Sequence, residues 1–384
     1  MSISEYTLKS ALFILPLGIG LSFFAEKATA DVIKDYTDFK NYISDNWNID
    51  YNIAVNYMAQ TGVEHGGKIP YQSVYEPSLT WNIFNSDKYG SGSIKFDYKY
   101  VTYISKTEGV DMTNSLGVVS PVNSNPTTEP TFNWLAYTHT FNDKISVTLG
   151  QFPFSYFDWI QFSGNQIPQT INDSLSGNAS DIYQSAGMGG FVTLNPTSNI
   201  TISMGMQTGE AENSEKLDFR NLGKKYSAFG SVAYSAAIDG LGSGTYSAFM
   251  YYQPSVDGTP EDSIGYSFNA VQSVGEKWAV YASFNHSNSS ASIKASLMGG
   301  VMYIDPFDRN PNDQIGFVAG YNWLDKDNLP DNARSSEILM ETYWAWGFSQ
   351  YMQLVPDIQL YVKPALDKDK DVAAVFSLNV EFNL

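Results

Sequence analysis

The chain has 384 residues, of which 43% are hydrophobic and 15% aromatic but only 16% charged, with a net charge of −18 and no cysteine. Soluble domains usually carry about a quarter charged residues, so much of this surface is not expected to face water. The acidic balance excludes non-specific binding to nucleic acid, and the lack of cysteine excludes a small disulfide-stapled scaffold.

Residues 1–30 have the parts of a secretory signal peptide. Lys9 gives a basic start, ALFILPLGIGLSFF (11–24) an apolar core, and Ala28-Thr29-Ala30 a small-residue cleavage site. The alternative is a single membrane anchor, but the apolar run is shorter than the roughly 18 residues that a spanning helix needs. We therefore expect export, with cleavage near Ala30.

Residues 31–46 differ from the rest of the chain. Val32, Tyr36, Phe39 and Ile43 recur at helical spacing, which predicts a short amphipathic helix. Such a segment could seal one mouth of a channel or serve only as a leader to the first strand.

From residue 47 to the C-terminus, apolar and polar residues alternate with a period of two, the pattern of strands with one apolar and one polar face. In 372–384, for example, Phe376, Leu378 and Val380 oppose Ser377 and Asn379. Sixteen strands are predicted, near 47–59, 73–84, 93–104, 131–141, 145–152, 186–195, 199–207, 225–236, 243–253, 263–273, 277–286, 292–304, 313–324, 335–347, 350–363 and 371–384.

Strand and loop lengths distinguish a membrane barrel from a soluble β-sandwich. Several of the runs reach about ten residues, the span of a tilted membrane strand. Tight turns near 142–144, 195–198 and 274–276 alternate with long links such as 105–130 and 153–185, although 287–291 and 305–312 break this alternation. The prediction is an all-β, antiparallel transmembrane β-barrel of about 16 strands over 47–384, with short periplasmic turns and long extracellular loops in the outer membrane.

The segment 151–185 is long for a link and rich in aromatic residues, so we expect it to fold inward as a constriction loop. Tyr156, Phe157 and Trp159 could stack on sugar rings, while Asp158 and Gln161 could hydrogen-bond to hydroxyl groups. The alternative is that these aromatics form the loop's own core or an interface girdle.

Charged and amide side chains on polar strand faces are candidate pore-lining groups. Their mixed signs suit a neutral, hydroxyl-rich solute, while the acidic excess favours cations over anions; they could also serve only as hydration groups. The candidates on the strands are Lys95, Asp97, Lys99, Glu337, Glu341, Asp357, Gln359 and Lys363.

Catalysis is not predicted, because none of the three histidines, His65, His139 and His286, lies in a metal-spacing motif. His139 has Ser and Thr nearby in the sequence, and a barrel hydrolase of the Ser–His type is the less favoured alternative. We expect no cofactor and no metal.

The C-terminal third resembles the carbohydrate-selective porins of the OprB type. The resemblance rests on DPFDRNPNDQIGFVAGY (305–321), SEILMETY (336–343) and LVPDIQLYVKP (354–364), and more loosely on WLAYTHTFNDKISVTLGQ (134–151). It implies a sixteen-stranded, sugar-permeable outer-membrane pore. The resemblance also allows a homotrimer.

The leading hypothesis is passive diffusion of small hydrophilic solutes, with sugars as the best single guess. A siderophore-uptake porin would share the architecture and differ only in the solute. A third hypothesis is an adhesin whose loops bind a surface. The absence of conductance in planar bilayers would distinguish it from a porin.

Overall fold

A computed structural model describes residues 26–63, 68–124, 128–158, 169–183, 186–209, 224–256, 261–289 and 291–384. Its sixteen strands are β1 (Ile49–Gly62), β2 (Tyr71–Ser86), β3 (Gly90–Tyr103), β4 (Thr128–Asn142), β5 (Ile145–Phe152), β6 (Gly187–Thr197), β7 (Ile200–Thr208), β8 (Tyr226–Ile238), β9 (Gly242–Gln253), β10 (Ser263–Val274), β11 (Trp278–Ser287), β12 (Ile293–Ile304), β13 (Gln314–Leu324), β14 (Ser336–Ser349), β15 (Met352–Val362) and β16 (Val372–Asn383). The predicted strands are confirmed, with ends that differ by three residues or fewer.

Four helical segments accompany the strands within the described ranges. They are α1 (Glu26–Trp47), α2 (Gly109–Leu116), α3 (Ser155–Asp158) and α4 (Asp173–Ser176), with a 3-10 turn at Lys326–Asn328. Among the residues that the structure describes, no helix combines the length and apolar character needed to cross a membrane.

Each strand pairs antiparallel with its neighbour along the chain, and the sheet closes into a barrel where β1 meets β16. The closing register runs from Ala54 opposite Asn383 to Gly62 opposite Val375. Closure leaves no sheet edge, which matters because lipid offers no hydrogen-bond partner for an unpaired backbone group.

Side chains alternate between the two faces of the barrel as the sequence pattern predicts. On β16, Phe376 and Leu378 are 45% and 47% exposed on the outer face, whereas Ser377 and Asn379 between and beyond them are only 6% and 7% exposed. On this strand the outward-facing side chains are apolar and the inward-facing side chains are polar, as a membrane-embedded barrel requires.

The two links that broke the predicted loop alternation contain no misplaced strand. The link between β12 and β13 is long for the short-turn end, and it is held by an ion pair in which Arg309 Nε donates to Asp313 Oδ2 at 3.0 Å. Asp313 Oδ1 also accepts from the backbone N–H of Gly347 at 2.8 Å, which ties this link to the end of β14. These bonds fix the conformation of the link although it is long.

The helix α1 lies against the outer face of the barrel near the short-turn end. Its residues Ile33 and Tyr36 pack on Val55, Phe382 and other members of an apolar cluster. Val55 and Phe382 are paired across β1 and β16 in the outward-facing phase, so the helix contacts the outer wall of the barrel. The segment predicted over 31–46 is therefore helical, and it does not lie across the mouth.

We expect Leu378→Arg to destabilise the barrel, because Leu378 lies on the outer face near the middle of β16. A basic side chain at the bilayer midplane of an outer-membrane barrel costs about 2–4 kcal/mol. Urea-dependent unfolding in lipid vesicles measures the change. Asp327→Arg, at an exposed loop position, serves as the control and should leave the unfolding free energy unchanged. Equal stability of both variants would contradict a lipid-facing Leu378.

Candidate functional site

Two long links at the same end of the barrel enter the bore. The β3–β4 loop (104–127) carries α2, and the β5–β6 loop (153–186) carries α3 and α4. The described parts of both loops contact inward-facing side chains of several strands. The inward-folded loop expected over 151–185 is therefore found, and it is joined by a second loop that was predicted only as a long link.

The first half of the β5–β6 loop is held by aromatic rings on the inner wall. Phe154 and Phe157 lie 4.9 and 4.3 Å from Phe229, between ring centroids, and Phe157 lies 4.8 Å from Phe191. Phe191 and Phe229 point inward from β6 and β8, where a porin lumen is usually polar. Burial of each ring contributes roughly 1.5–3 kcal/mol, so this apolar wall stabilises the loop.

Asp158, at the end of α3, ties the same part of the loop to β10. Its carboxylate accepts hydrogen bonds from the hydroxyl of Ser267, from Asn178 Nδ2 at 2.7 Å and from the hydroxyl of Tyr183 at 2.7 Å. Burial raises the pKa of Asp158, and the three donors act in the opposite direction. Because Asp158 is 3% exposed, it contacts protein rather than the open bore.

Glu341 holds the second half of the β5–β6 loop against the opposite wall. Its carboxylate, inward-facing on β14, accepts the backbone N–H groups of Ile171 and of Asn172, the latter at 3.1 Å. The side chain of Asn172 then donates to the hydroxyl of Tyr361 on β15 at 2.6 Å and to the carbonyl of Pro121 at 3.0 Å. The described parts of the loop are therefore attached to two sides of the bore, by aromatic contacts on one side and by polar contacts on the other.

Glu337 plays the corresponding part for the β3–β4 loop. Its carboxylate accepts the N–H groups of Val119 and Ser120, both at 2.9 Å. The side-chain amides of Gln359 and of Gln60 both donate to the carbonyl of Val122, at 3.0 and 3.1 Å. These bonds satisfy backbone groups that would otherwise be buried without partners.

Four of the predicted pore-lining residues are therefore inward-facing but covered by the loops. Glu337, Glu341 and Gln359 are each 1% exposed and Asp357 is 2% exposed. Asp357 lies beside Glu341, on the neighbouring strand β15. Glu337, Glu341 and Gln359 hold the constriction loops, and all four residues are covered in this conformation.

The β2–β3 wall carries the predicted residues that stay open to the bore. Lys95 Nζ lies 4.0 Å above the ring of Trp134 and 5.1 Å from that of Tyr156, so strand and loop residues meet here as cation and aromatic. Lys99 Nζ lies 3.9 Å from a carboxylate oxygen of Glu76.

Of the remaining predicted site residues, one lies on that wall, one lies at the end of β15, and two lie outside the residues that the structure describes. Asp97 is half-buried between Lys95 and Lys99 on β3. Lys363 is exposed in the turn after β15, with a positive φ of 57°, and is not brought together with the others. Trp159 and Gln161 lie outside the described residues.

A polar cavity of about 130 Å³ lies between the two loops and the inner faces of β16, β1 and β2. Amide and carboxyl groups dominate its lining, and the residues that contribute them are Asn56, Gln72, Asn123, Gln169, Asn379 and Glu381. These groups offer both donors and acceptors in one small space, the arrangement that recognises hydroxyl groups.

Sequence reasoning gave no role to Asp173 or to Asn172, which joins the loop to β14 and β15. Asn172 caps α4 by accepting the N–H of Ser174 at 3.0 Å, and Asn-Asp-Ser is a recognisable helix-start signal. Burial raises the pKa of Asp173 to about 6, and the positive charge of Lys99 acts to lower it.

The histidines that the structure describes lie outside the bore. His139 accepts or donates a hydrogen bond at 2.9 Å with the hydroxyl of Tyr137, and its ring lies 4.4 Å from that of Phe141, which is 54% exposed on the outer face. His286 stacks on Tyr266 at 5.3 Å. Within the described ranges, no three His, Asp or Glu side chains are grouped to bind a metal.

We expect Glu341→Ala to loosen the constriction. The substitution leaves the N–H groups of Ile171 and Asn172 without their buried acceptor, at a cost of about 1–3 kcal/mol for each. Single-channel recordings in planar bilayers should show a higher and noisier conductance. Glu276→Ala, in an exposed turn, is the matched control and should behave as the parent protein. An unchanged conductance in the Glu341 variant would show that this attachment does not set the width of the passage.

Known proteins resemble this chain in sequence and in fold. The model of the carbohydrate-selective porin family OprB matches residues 130–384. Porin AaxA of Chlamydia abortus is 29% identical over 317 residues, which cover 82% of this chain and 70% of that protein, and Porin AaxA of Chlamydia caviae is 29% identical over 316 residues, 81% and 70% of the two chains.

Solved structures show the same barrel. The high-pH structure of Pseudomonas putida OprB superimposes with a TM-score of 0.74 at 16% identity, covering 91% of this chain and 97% of that one. A mutant of the Rhodopseudomonas blastica porin matches with a TM-score of 0.51 at 9% identity, covering 88% of this chain and 100% of that one. At these identities the structural likeness supports the fold, while the family match covers most of the barrel. The chain belongs to the carbohydrate-selective porin family and is an outer-membrane porin for small solutes.

Proposed function

We propose that this porin lets neutral carbohydrates and other small hydroxyl-rich solutes diffuse passively through the passage left by its two inward loops. The observation that supports this proposal best is the cavity between those loops and the inner wall. Its amide and carboxyl lining can exchange hydrogen bonds with hydroxyl groups as water does, so a sugar loses little on entering. No chemical step is involved, and we assign no cofactor.

The aromatic residues near Lys95 add a second element to the proposed sugar path. Tyr156 is 49% exposed, and the ring of Trp134 lies 5.0 Å from it in an edge-to-face arrangement. The exposed face of Tyr156 offers a surface on which the apolar side of a sugar ring can stack. We propose Lys95, Asp97, Lys99 and Tyr156 as the strand and loop residues that solutes meet.

We also propose that the passage prefers cations to anions. Glu76, Asp97, Asp173 and Glu381 place carboxyl groups on the bore side, against the amines of Lys95 and Lys99. The two amines are engaged, Lys95 with aromatic rings and Lys99 with Glu76. The net charge of −18 adds a long-range attraction for positive solutes.

Export is the remaining part of the proposal. Cleavage near Ala30 would remove the residues before Asp31 and retain Ile33, Tyr36 and the rest of α1 that contacts the barrel. Sequencing the N-terminus of protein isolated from outer membranes tests this, with Asp31 as the expected first residue.

Liposome swelling with sugars of increasing size tests the carbohydrate proposal. Swelling should be fast for monosaccharides and slower for larger sugars, because the cavity between the loops has a volume of only about 130 Å³. Planar bilayers should show ohmic conductance that added sugar reduces. Uptake of a ferric siderophore without uptake of sugars would favour the siderophore reading, and a protein without conductance would favour an adhesin.

We expect the cation preference to fall as the pH is lowered through about 6. The pKa of Asp173 is raised to about 6, so its carboxylate is charged at pH 7.5 and mostly neutral at pH 5. A unit charge at 4 Å in water is worth about 1 kcal/mol, enough for a several-fold change in the permeability ratio. Reversal potentials in a KCl gradient measure this ratio.

Asp173→Asn is the variant that isolates this group. It should lower the cation preference at pH 7.5 and flatten the pH profile between 7.5 and 5. Asp327→Asn, at an exposed loop position, is the control and should keep the profile of the parent. If the permeability ratio changes with pH in the same way in the parent and in the Asp173→Asn protein, a group other than Asp173 is responsible for the change.

A further inference from the structure

The outer wall of the barrel carries a helix with a large exposed aromatic surface. Three aromatic side chains of α1, Phe39, Tyr42 and Trp47, are 52%, 54% and 57% exposed. Exposure on this scale is costly in water, and none of these side chains takes part in the solute passage. We therefore expect these three side chains to contact a medium or a molecule outside the barrel.

The helix has a fixed position on the barrel, so its exposed surface has a defined orientation. Lys40 Nζ lies 5.1 to 5.8 Å from the ring centres of Tyr36, Tyr51 and Tyr351, in a cage of cation–aromatic contacts. The hydroxyls of Thr37 and Tyr351 are 2.7 Å apart. These contacts attach α1 to β1 and to the turn between β14 and β15.

The two exposed flanks of α1 differ in polarity. Phe39 and Trp47, two turns apart, form one exposed stripe along the helix, and Ile43 between them is buried, at 8% exposure. Lys34, Asp38 and Asp45 form a separate polar stripe, in which Lys34 and Asp38 are paired at 3.1 Å. At 100° per residue the two stripes lie on roughly opposite sides.

The apolar flank continues the lipid-facing surface of the barrel. The outer face of β1 carries Ile53, which is 40% exposed, and β16 carries Phe376 and Leu378. By contrast, Val55 beneath the helix is only 2% exposed. The helix therefore replaces lipid over part of the wall and lies at the border of the membrane-embedded surface.

We propose that α1 is an interfacial membrane helix, whose exposed Phe39 and Trp47 side chains are immersed in the phospholipid surface of the periplasmic leaflet while Lys34, Asp38 and Asp45 face the periplasm. Aromatic side chains prefer this boundary because their rings are apolar and their edges tolerate water. The helix anchors the closing seam between β1 and β16 at the membrane border. The proposal concerns the outer surface only, so it does not depend on which solute passes.

The absence of cysteine from the chain allows a direct test with single-cysteine labels. Phe39→Cys and Asp45→Cys, both at exposed positions, are labelled with an environment-sensitive fluorophore and reconstituted into phosphatidylethanolamine–phosphatidylglycerol vesicles. Phosphatidylcholine with a nitroxide near its headgroup quenches from the lipid, and iodide quenches from water. We expect lipid quenching at position 39 to exceed that at position 45 by about threefold, with the reverse order for iodide.

Two outcomes would overturn the proposal. Strong iodide quenching at both positions would place the whole helix in water. Protection of position 39 from both iodide and nitroxide lipid would show that protein covers the stripe, as in an oligomer of this chain. Each labelled protein must first show the conductance of the parent in planar bilayers, so that misfolded material does not enter the comparison.

Discussion

The pairing of β1 with β16 is the interaction on which the rest of this structure depends. In lipid, a strand without a neighbour would leave a row of backbone N–H and C=O groups without partners, at several kcal/mol for each. The antiparallel register from Ala54–Asn383 to Gly62–Val375 removes that row. Once the sheet is closed, its outer face must be apolar and its inner face polar, and the two-residue rhythm of the sequence follows from that requirement.

The same requirement applies inside the barrel, where two loops bring their own backbone groups into a confined space. Glu337 and Glu341 accept pairs of loop N–H groups, and Gln359 and Gln60 donate to a loop carbonyl. The aromatic rings of β6 and β8 hold the other side of the β5–β6 loop by burial. The lumen is thus divided into a packed part, which fixes the loops, and a hydrated part, through which solutes pass.

The strands could be predicted from the sequence because each residue's face depends only on its own position in a local alternation. The inward orientation of Glu341 and Gln359 followed from the same rule, but their role as loop attachments did not, because it depends on contacts with residues about 170 or more positions away. The packing of α1 on the outer wall could not be predicted either, because helical spacing identifies an apolar face of a helix but not the surface against which it packs. Asn172 and Gln60 were missed for the same reason.

The attachment of the β5–β6 loop to both β10 and β14 has a consequence for biogenesis. The wall that receives Asn172 is made of strands synthesised long after the loop itself, so the obstruction cannot assume its final shape until the last hairpins have joined the sheet. A barrel in which β14 or β15 is out of place therefore lacks the acceptors that hold this loop.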